Sequence, residues 1–151
     1  MKSRPLSKRG AAAGFTLIEL MIALVVVALL AAIGYPGYLR HVTSSSRAAA
    51  QTEVSEIASM QEKIFLNSNA YTGDMTTAYN GTAAGGLGKT SGKTDDGKYT
   101  LAFTVSTAQS YTITATPVAG TSQAGDGAFS IASTGARTCS TSSSWCKTGI
   151  W

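Results

Sequence analysis

The sequence is poor in the side chains that most site chemistry needs. It holds one histidine, His41, and two cysteines, Cys139 and Cys146, which lie together near the carboxyl end, far along the chain from the histidine. That inventory excludes most zinc sites and most serine or cysteine nucleophile sets, which need several such residues. No cysteine precedes Cys139, so a lipoprotein anchor at the amino end is excluded as well. Charge is also scarce. Asp, Glu, Lys and Arg make up 13% of the 151 residues, against the ~25% usual in a soluble domain, which does not describe a plain cytosolic surface. The formal charge of +4 points at first to nucleic acid or membrane, but four of the 12 basic residues, Lys2, Arg4, Lys8 and Arg9, sit at the amino end. The other eight face eight acidic residues, so bulk charge makes no case for a nucleic-acid binder. The length leaves room for one domain and not for two.

Apolar sequence is plentiful, at 44% of residues, and much of it forms one run. Residues 1–14, MKSRPLSKRGAAAG, are basic and small; the 24 residues from Phe15 to Tyr38 read FTLIELMIALVVVALLAAIGYPGY. As a helix this run reaches about 36 Å at 1.5 Å per residue, enough to cross a ~30 Å hydrocarbon layer with some tilt. Basic residues precede it and none follows until Arg40, which keeps the amino end in the cytoplasm and sends the bulk of the chain outward. A secretory signal cut near Ala31 and Ala32 is the simplest alternative. Two features oppose it. Glu19 lies inside the run, where an acid costs about 2.5 to 3.5 kcal/mol even on lenient scales. The run also continues into a helical pattern in which Val54, Ile57, Ala58, Gln61, Ile64 and Phe65 recur at three- and four-residue spacing. The helix is therefore expected to stay with the mature molecule.

The string Gly14-Phe15-Thr16-Leu17-Ile18-Glu19-Leu20, between a short basic leader and a long apolar run, resembles the class III signal of type IV prepilins. Tyr35-Pro36-Gly37-Tyr38, then Arg47, Ala48 and Ala50, the helix to Phe65 and the later TPVAG and STG phrases resemble the PilE-like minor pilins. The resemblance is strongest over the first 66 residues. It implies an α+β fold, with a long N-terminal helical spine packed against a small antiparallel sheet. It also implies cleavage between Gly14 and Phe15 by a prepilin peptidase, N-methylation of Phe15, and transfer from the inner membrane to an extracellular filament. The implied partners are other pilin subunits, the inner membrane, the peptidase and methyltransferase, and the pilus assembly machinery. The implied uses are twitching motility, adhesion or DNA uptake, with no enzymatic role, cofactor or metal.

The physics of Glu19 suits that resemblance. An acid in lipid must meet a cation or take up a proton, and an amine freed at Phe15 of a neighbouring subunit is such a cation. Opposite charges 4 Å apart interact by about 4 kcal/mol at an effective dielectric of 20 and about 1 in water, so the pair sets register only when buried. Protonation or snorkelling of a lone Glu19 is the alternative. Gly34, Pro36 and Gly37 predict a helix break, either a kink or a locally melted stretch, which in pilins can extend when subunits pack; a simple bend at the membrane surface is the other outcome.

Beyond the membrane run, residues 39–66 read as the amphipathic helix of a head, ending at Leu66-Asn67-Ser68-Asn69. Residues 67–97 are rich in Gly, Ser and Thr and read as a connecting loop, and 98–151 as sheet and tail. Tyr99, Leu101, Phe103 and Val105 alternate with polar or small residues, as do Tyr111, Ile113 and Ala115. A third strand, Ala128 to Ala132, follows the Gly125-Asp126-Gly127 turn, for three or four antiparallel strands in all. In an oxidising exported compartment Cys139 and Cys146 are expected to join across STSSSW, worth about 2.5 kcal/mol. In pilins such a pair often closes a contact loop; pinning the tail is the plainer reading. Trp145 and Trp151 read as tail anchors.

Three motifs mislead. Gly88-Lys89-Thr90 and Gly92-Lys93-Thr94 echo a phosphate loop but lack its upstream glycine and strand. Asp95-Asp96-Gly97 lacks calcium-loop spacing and reads as a turn. His41 is expected to lie too far from the serine-rich tail to activate a nucleophile there. The expected function is a structural pilus subunit, a minor pilin. One alternative is a DNA-binding competence pilin, which needs Lys89, Lys93, Lys98, Arg137 and Lys147 in one stripe. The other is a type II secretion pseudopilin.

Overall fold

Helical periodicity from residue 17 onward, with alternation only after residue 98, dictates a helix first and a sheet later, and the structure follows that order. The computed structural model describes residues 14–89 and 91–151, apart from the side chain of Ser106; the leader through residue 13 and Thr90 lie outside the described residues. Helix α1 runs Leu17–Ser68, and four strands follow: β1 Tyr99–Thr107, β2 Ser110–Pro117, β3 Phe129–Ala132 and β4 Arg137–Cys139. The chain divides into two units, one through Tyr38 and one from Leu39 to Trp151.

In the first unit α1 buries nothing. Leu17, Leu24, Leu30 and Ile33 are all exposed on a helix whose apolar stretch has a mean hydropathy of 2.8. Pro36 lies within α1, and the helix runs without interruption through Gly34 and Gly37. The expected break is therefore not a melted stretch in the lone chain. Proline removes one donor, and the flanking hydrogen bonds of a 52-residue helix persist around it.

In the second unit one stripe of α1 is buried: Ser46, Ala50, Glu53, Val54, Ile57, Ala58, Gln61 and Ile64. The spacing is three or four throughout, which keeps these residues on one face. The helix ends at Ser68, within the Leu66–Asn69 stretch where its end is expected. Asn69 adopts φ 51° and its amide donates to Phe65 O at 2.8 Å, a left-handed cap that an asparagine tolerates.

The sheet is antiparallel in the order β1-β2-β3-β4. Register pairs Leu101 with Ala115, Phe103 with Ile113, Ile113 with Ile131 and Phe129 with Cys139, so the apolar sets of neighbouring strands share a face. Tyr99, Leu101, Tyr111, Ile113, Ala115, Phe129 and Ile131 join the buried stripe of α1 in one core. Phe103 and Val105, expected inside, are half-buried; they pack against that core from β1, an edge strand of the sheet. β4 extends the sheet beyond the three strands expected in detail, and Gly135, at φ 79°, makes the turn into it.

Candidate functional site

The helix start is built by the motif residues themselves. Phe15 precedes α1 and is 78% exposed. Thr16 caps the helix: its Oγ1 accepts the Glu19 amide at 3.2 Å, and its carbonyl accepts the Leu20 amide. Thr16-Leu17-Ile18-Glu19 thus has the Thr-x-x-Glu spacing of a capping box, with the acid in the positive first turn of the helix. Sequence reasoning credited Glu19 with charge pairing and missed this local role, although the spacing was there to be read. Phe15 and Glu19 line the same shallow recess with Leu20 and Ala23, one helical turn apart.

In the head, the buried face of α1 carries polar side chains that reach the connecting loop. Glu53 is buried; its Oε1 takes Lys89 Nζ at 2.6 Å and its Oε2 accepts the Asp95 amide at 3.2 Å. Gln61 closes a two-bond pair with Thr72, its Nε2 donating to Thr72 O at 2.9 Å and its Oε1 accepting the Thr72 amide at 3.1 Å. The loop expected over 67–97 is therefore bound to the helix, at Glu53 and Gln61 and also where Asn67 Nδ2 donates to Gly81 O and Ser68 Oγ accepts the Ala83 amide. Its amide groups exchange hydrogen bonds with side chains that reach them from the core.

The densest polar cluster surrounds Asp126. Its carboxylate receives both Arg47 Nε, at 2.7 Å, and Arg47 Nη2, and it also accepts from the Tyr99 hydroxyl and from Gln123 Nε2 at 3.3 Å. Gln123 Nε2 reaches Thr43 O at 3.0 Å as well, while the buried Gln123 Oε1 has no partner among the described residues. Burial, and then the hydrogen bond to Asp126, push the Tyr99 hydroxyl above its ordinary range. The Arg47 guanidinium lies 4.6 Å over the Trp145 ring, and Trp145 Nε1 donates to Asp126 O. Gly127, at φ 81°, leaves the turn where a Cβ would strike Ser143.

That cluster explains the tail. Cys139 and Cys146 form a disulfide, and the ring they close presents Trp145 to α1. Trp151 Nε1 donates to Ser130 O at 2.9 Å, and both indoles flank Phe129. The tail thus returns to the helix turns around residue 40: Ser144 and Trp145 share a crevice with Leu39, Arg40, Thr43 and Ser44. The neighbours of His41 on α1, Arg40 and Thr43, thus meet the serine-rich tail. His41 itself is exposed and does not line the crevice.

The five bases required in one stripe are not alike in their surroundings. Lys89 is engaged by Glu53, and Lys98 Nζ donates to Ser46 Oγ at 2.6 Å. Lys93 is exposed beside β1, bridging to Thr100. Arg137 is on β4, over the Trp151 ring, and Lys147 is exposed in the tail. β1 and β4 are opposite edges of the sheet, about 14 Å apart at the usual strand spacing. Asp95-Asp96-Gly97 is a turn, with Asp96 Oδ1 accepting the Lys98 amide at 3.1 Å and Gly97 at φ 69°. Among the described residues no three metal-ligating side chains converge.

Comparison with known proteins adds three findings. Residues 36–143 match the family model described as type IV minor pilin ComP, DNA uptake sequence receptor. Residues 9–35 match the prokaryotic N-terminal methylation motif. The type IV major fimbrial protein FimA of Dichelobacter nodosus is 38% identical over 112 residues, which cover 73% of this chain and 57% of that protein. The chain thus spans less than two thirds of the length of this relative.

Proposed function

The chain belongs to the type IV minor pilin family, and from that premise we propose that it is a structural subunit that passes from the inner membrane into an extracellular pilus. The family is structural, not enzymatic. One observation carries the reading: an apolar helix with no buried residue, bearing Glu19 in its first turn, continues directly into the buried stripe of a folded head. Such a surface must be covered, by lipid before assembly and by neighbouring helices after it. In this mechanism cleavage after Gly14 frees the Phe15 amine, which becomes N-methylated, and Glu19 of an adjacent subunit receives that cation and sets the register. Gly34, Pro36 and Gly37 are the positions at which α1 can extend during packing, since the amide missing at Pro36 already weakens the helix there. Mass spectrometry of sheared filaments tests the whole proposal. The expected species begins at N-methyl-Phe15; a filament lacking the chain, or a chain starting elsewhere, overturns it.

The family description favours a second reading, in which the filament-borne head binds DNA. Of the five bases of that stripe, Lys93, Arg137 and Lys147 are the exposed ones available to it, because Lys89 and Lys98 are engaged within the head. Neutralising the three together should weaken duplex binding and flatten its dependence on salt. Unchanged affinity would remove this reading and leave the structural one in place.

A further inference from the structure

The head carries a crevice that the two readings above leave unassigned. It has a volume of about 470 Å³ and lies between α1 and the tail, lined among others by Arg40, Thr43, Ser44, Ser122, Ser144 and Trp145. Arg40 is exposed and forms no ion pair among the described residues. The hydroxyls of Thr43, Ser44, Ser122 and Ser144 make no hydrogen bond among those residues either. The other two charges at the crevice, Arg47 and Asp126, cancel each other. The site therefore offers one uncompensated guanidinium, four free hydroxyls and one indole. A guanidinium beside hydroxyl donors suits a singly charged phosphodiester, which accepts bidentate bonds and several more from O–H groups.

Position in the chain selects the source of that phosphate. Arg40 follows the apolar run ending at Tyr38 by two residues, a helical rise of about 3 Å. Tyr35 and Tyr38, both exposed, stand just before it. Tyrosine and tryptophan collect at the level of lipid headgroups, and a basic residue there meets their phosphates. We infer that this crevice is a binding site for the phosphate headgroup of an anionic phospholipid in the outer leaflet. The lipid clips the head to the bilayer surface before the subunit is drawn into a filament. The inference rests on the reading that residues 15–38 span the membrane. A DNA phosphate has the same chemistry but must come from bulk water to a site that begins two residues beyond the bilayer, so lipid is the favoured occupant.

The test uses the full chain in nanodiscs of equal phosphatidylglycerol and phosphatidylcholine, released into native mass spectrometry. The chain is expected to retain one phosphatidylglycerol in preference to phosphatidylcholine, and Arg40→Gln to reduce that retention about fivefold. Arg40→Lys should keep part of it, as a point charge without the planar fork. Arg40 is exposed and has no ion pair among the described residues, so neither change endangers the fold. Equal retention by Arg40→Gln overturns the inference, as does release of the lipid by millimolar inorganic phosphate or by duplex DNA. A parallel measurement with a membrane-impermeant thiol reagent separates the two readings. Ser45→Cys should label from the outer side and Gly34→Cys should not. If this pattern holds and retention is unaffected by Arg40→Gln, the lipid site alone fails. If Gly34→Cys labels from water, the spanning reading fails with it.

Discussion

Arg47 on α1 and Asp126 on the turn before β3 are 79 residues apart in the chain and meet in a two-nitrogen ion pair. The Asp126 side chain is 4% exposed, so this contact is shielded from water in a way surface pairs are not. It ties the helix, the first strand through Tyr99 and the tail through Trp145 into one unit.

Removing one partner should therefore be costly. Arg47→Ala leaves a buried carboxylate without its cation and should destabilise the Leu39–Trp151 unit by about 3 to 5 kcal/mol. That unit contains the whole buried core, so urea denaturation of the excised head is a fair measurement. A loss below about 1 kcal/mol would mean that the pair behaves like an exposed one.

The disulfide should contribute more than loop closure alone. Changing Cys139 and Cys146 together to serine should cost about 2.5 kcal/mol of chain entropy. It should also free Trp145 from Arg47, which tryptophan fluorescence and faster proteolysis of residues 140–151 can report. An unaltered emission spectrum would show that Trp145 holds its place without the ring.

Titration should separate three groups. The Thr77 hydroxyl and the Thr77 and Thr76 amides hold Asp74 down at about 2. A depressed folded value favours the folded state above the ordinary carboxylate range, and the contribution is lost as pH falls from about 4 toward 2. Carbon-detected NMR of the Asp74 carboxyl should find its midpoint near the lower figure, and Thr77→Ala should raise it. Tyr99 and Tyr111 are raised, chiefly by burial, so their neutral hydroxyls favour folding below the ordinary tyrosine value of about 10. That contribution fades as pH climbs above it. Ultraviolet titration should show both tyrosines resisting ionisation until the head unfolds.

The two roles of the first helical turn can be parted by substitution. Glu19→Ala should leave membrane insertion intact or improved while reducing incorporation into filaments. Thr16→Ala removes the cap at about 1 kcal/mol but keeps the charge, and should leave incorporation largely intact. Normal incorporation of Glu19→Ala would falsify the pairing mechanism.

Much of this architecture could be read from local pattern. The buried stripe Val54, Ile57, Ala58, Gln61 and Ile64, the alternation of Tyr99 with Leu101 and of Tyr111 with Ile113, and the turn at Asp95-Asp96-Gly97 all depend on residues two to four apart. Such spacings determine which face of a helix or strand is apolar before any tertiary contact exists. The Thr16 and Glu19 cap is equally local, since it depends on a three-residue spacing.

What the sequence determined by itself was thus the order of elements, the inward face of each, and a membrane-length run with an acid near its start. The tertiary structure alone decided that Glu53 receives Lys89, that Gln61 clasps Thr72, that Arg47 finds Asp126, and that the tail returns to the turns around Arg40. The first three pairs are 11 to 79 residues apart, and the tail is farther still from Arg40. No periodicity links them, because a buried polar group takes whichever complement the packed core brings within hydrogen-bond reach, and that depends on the whole fold.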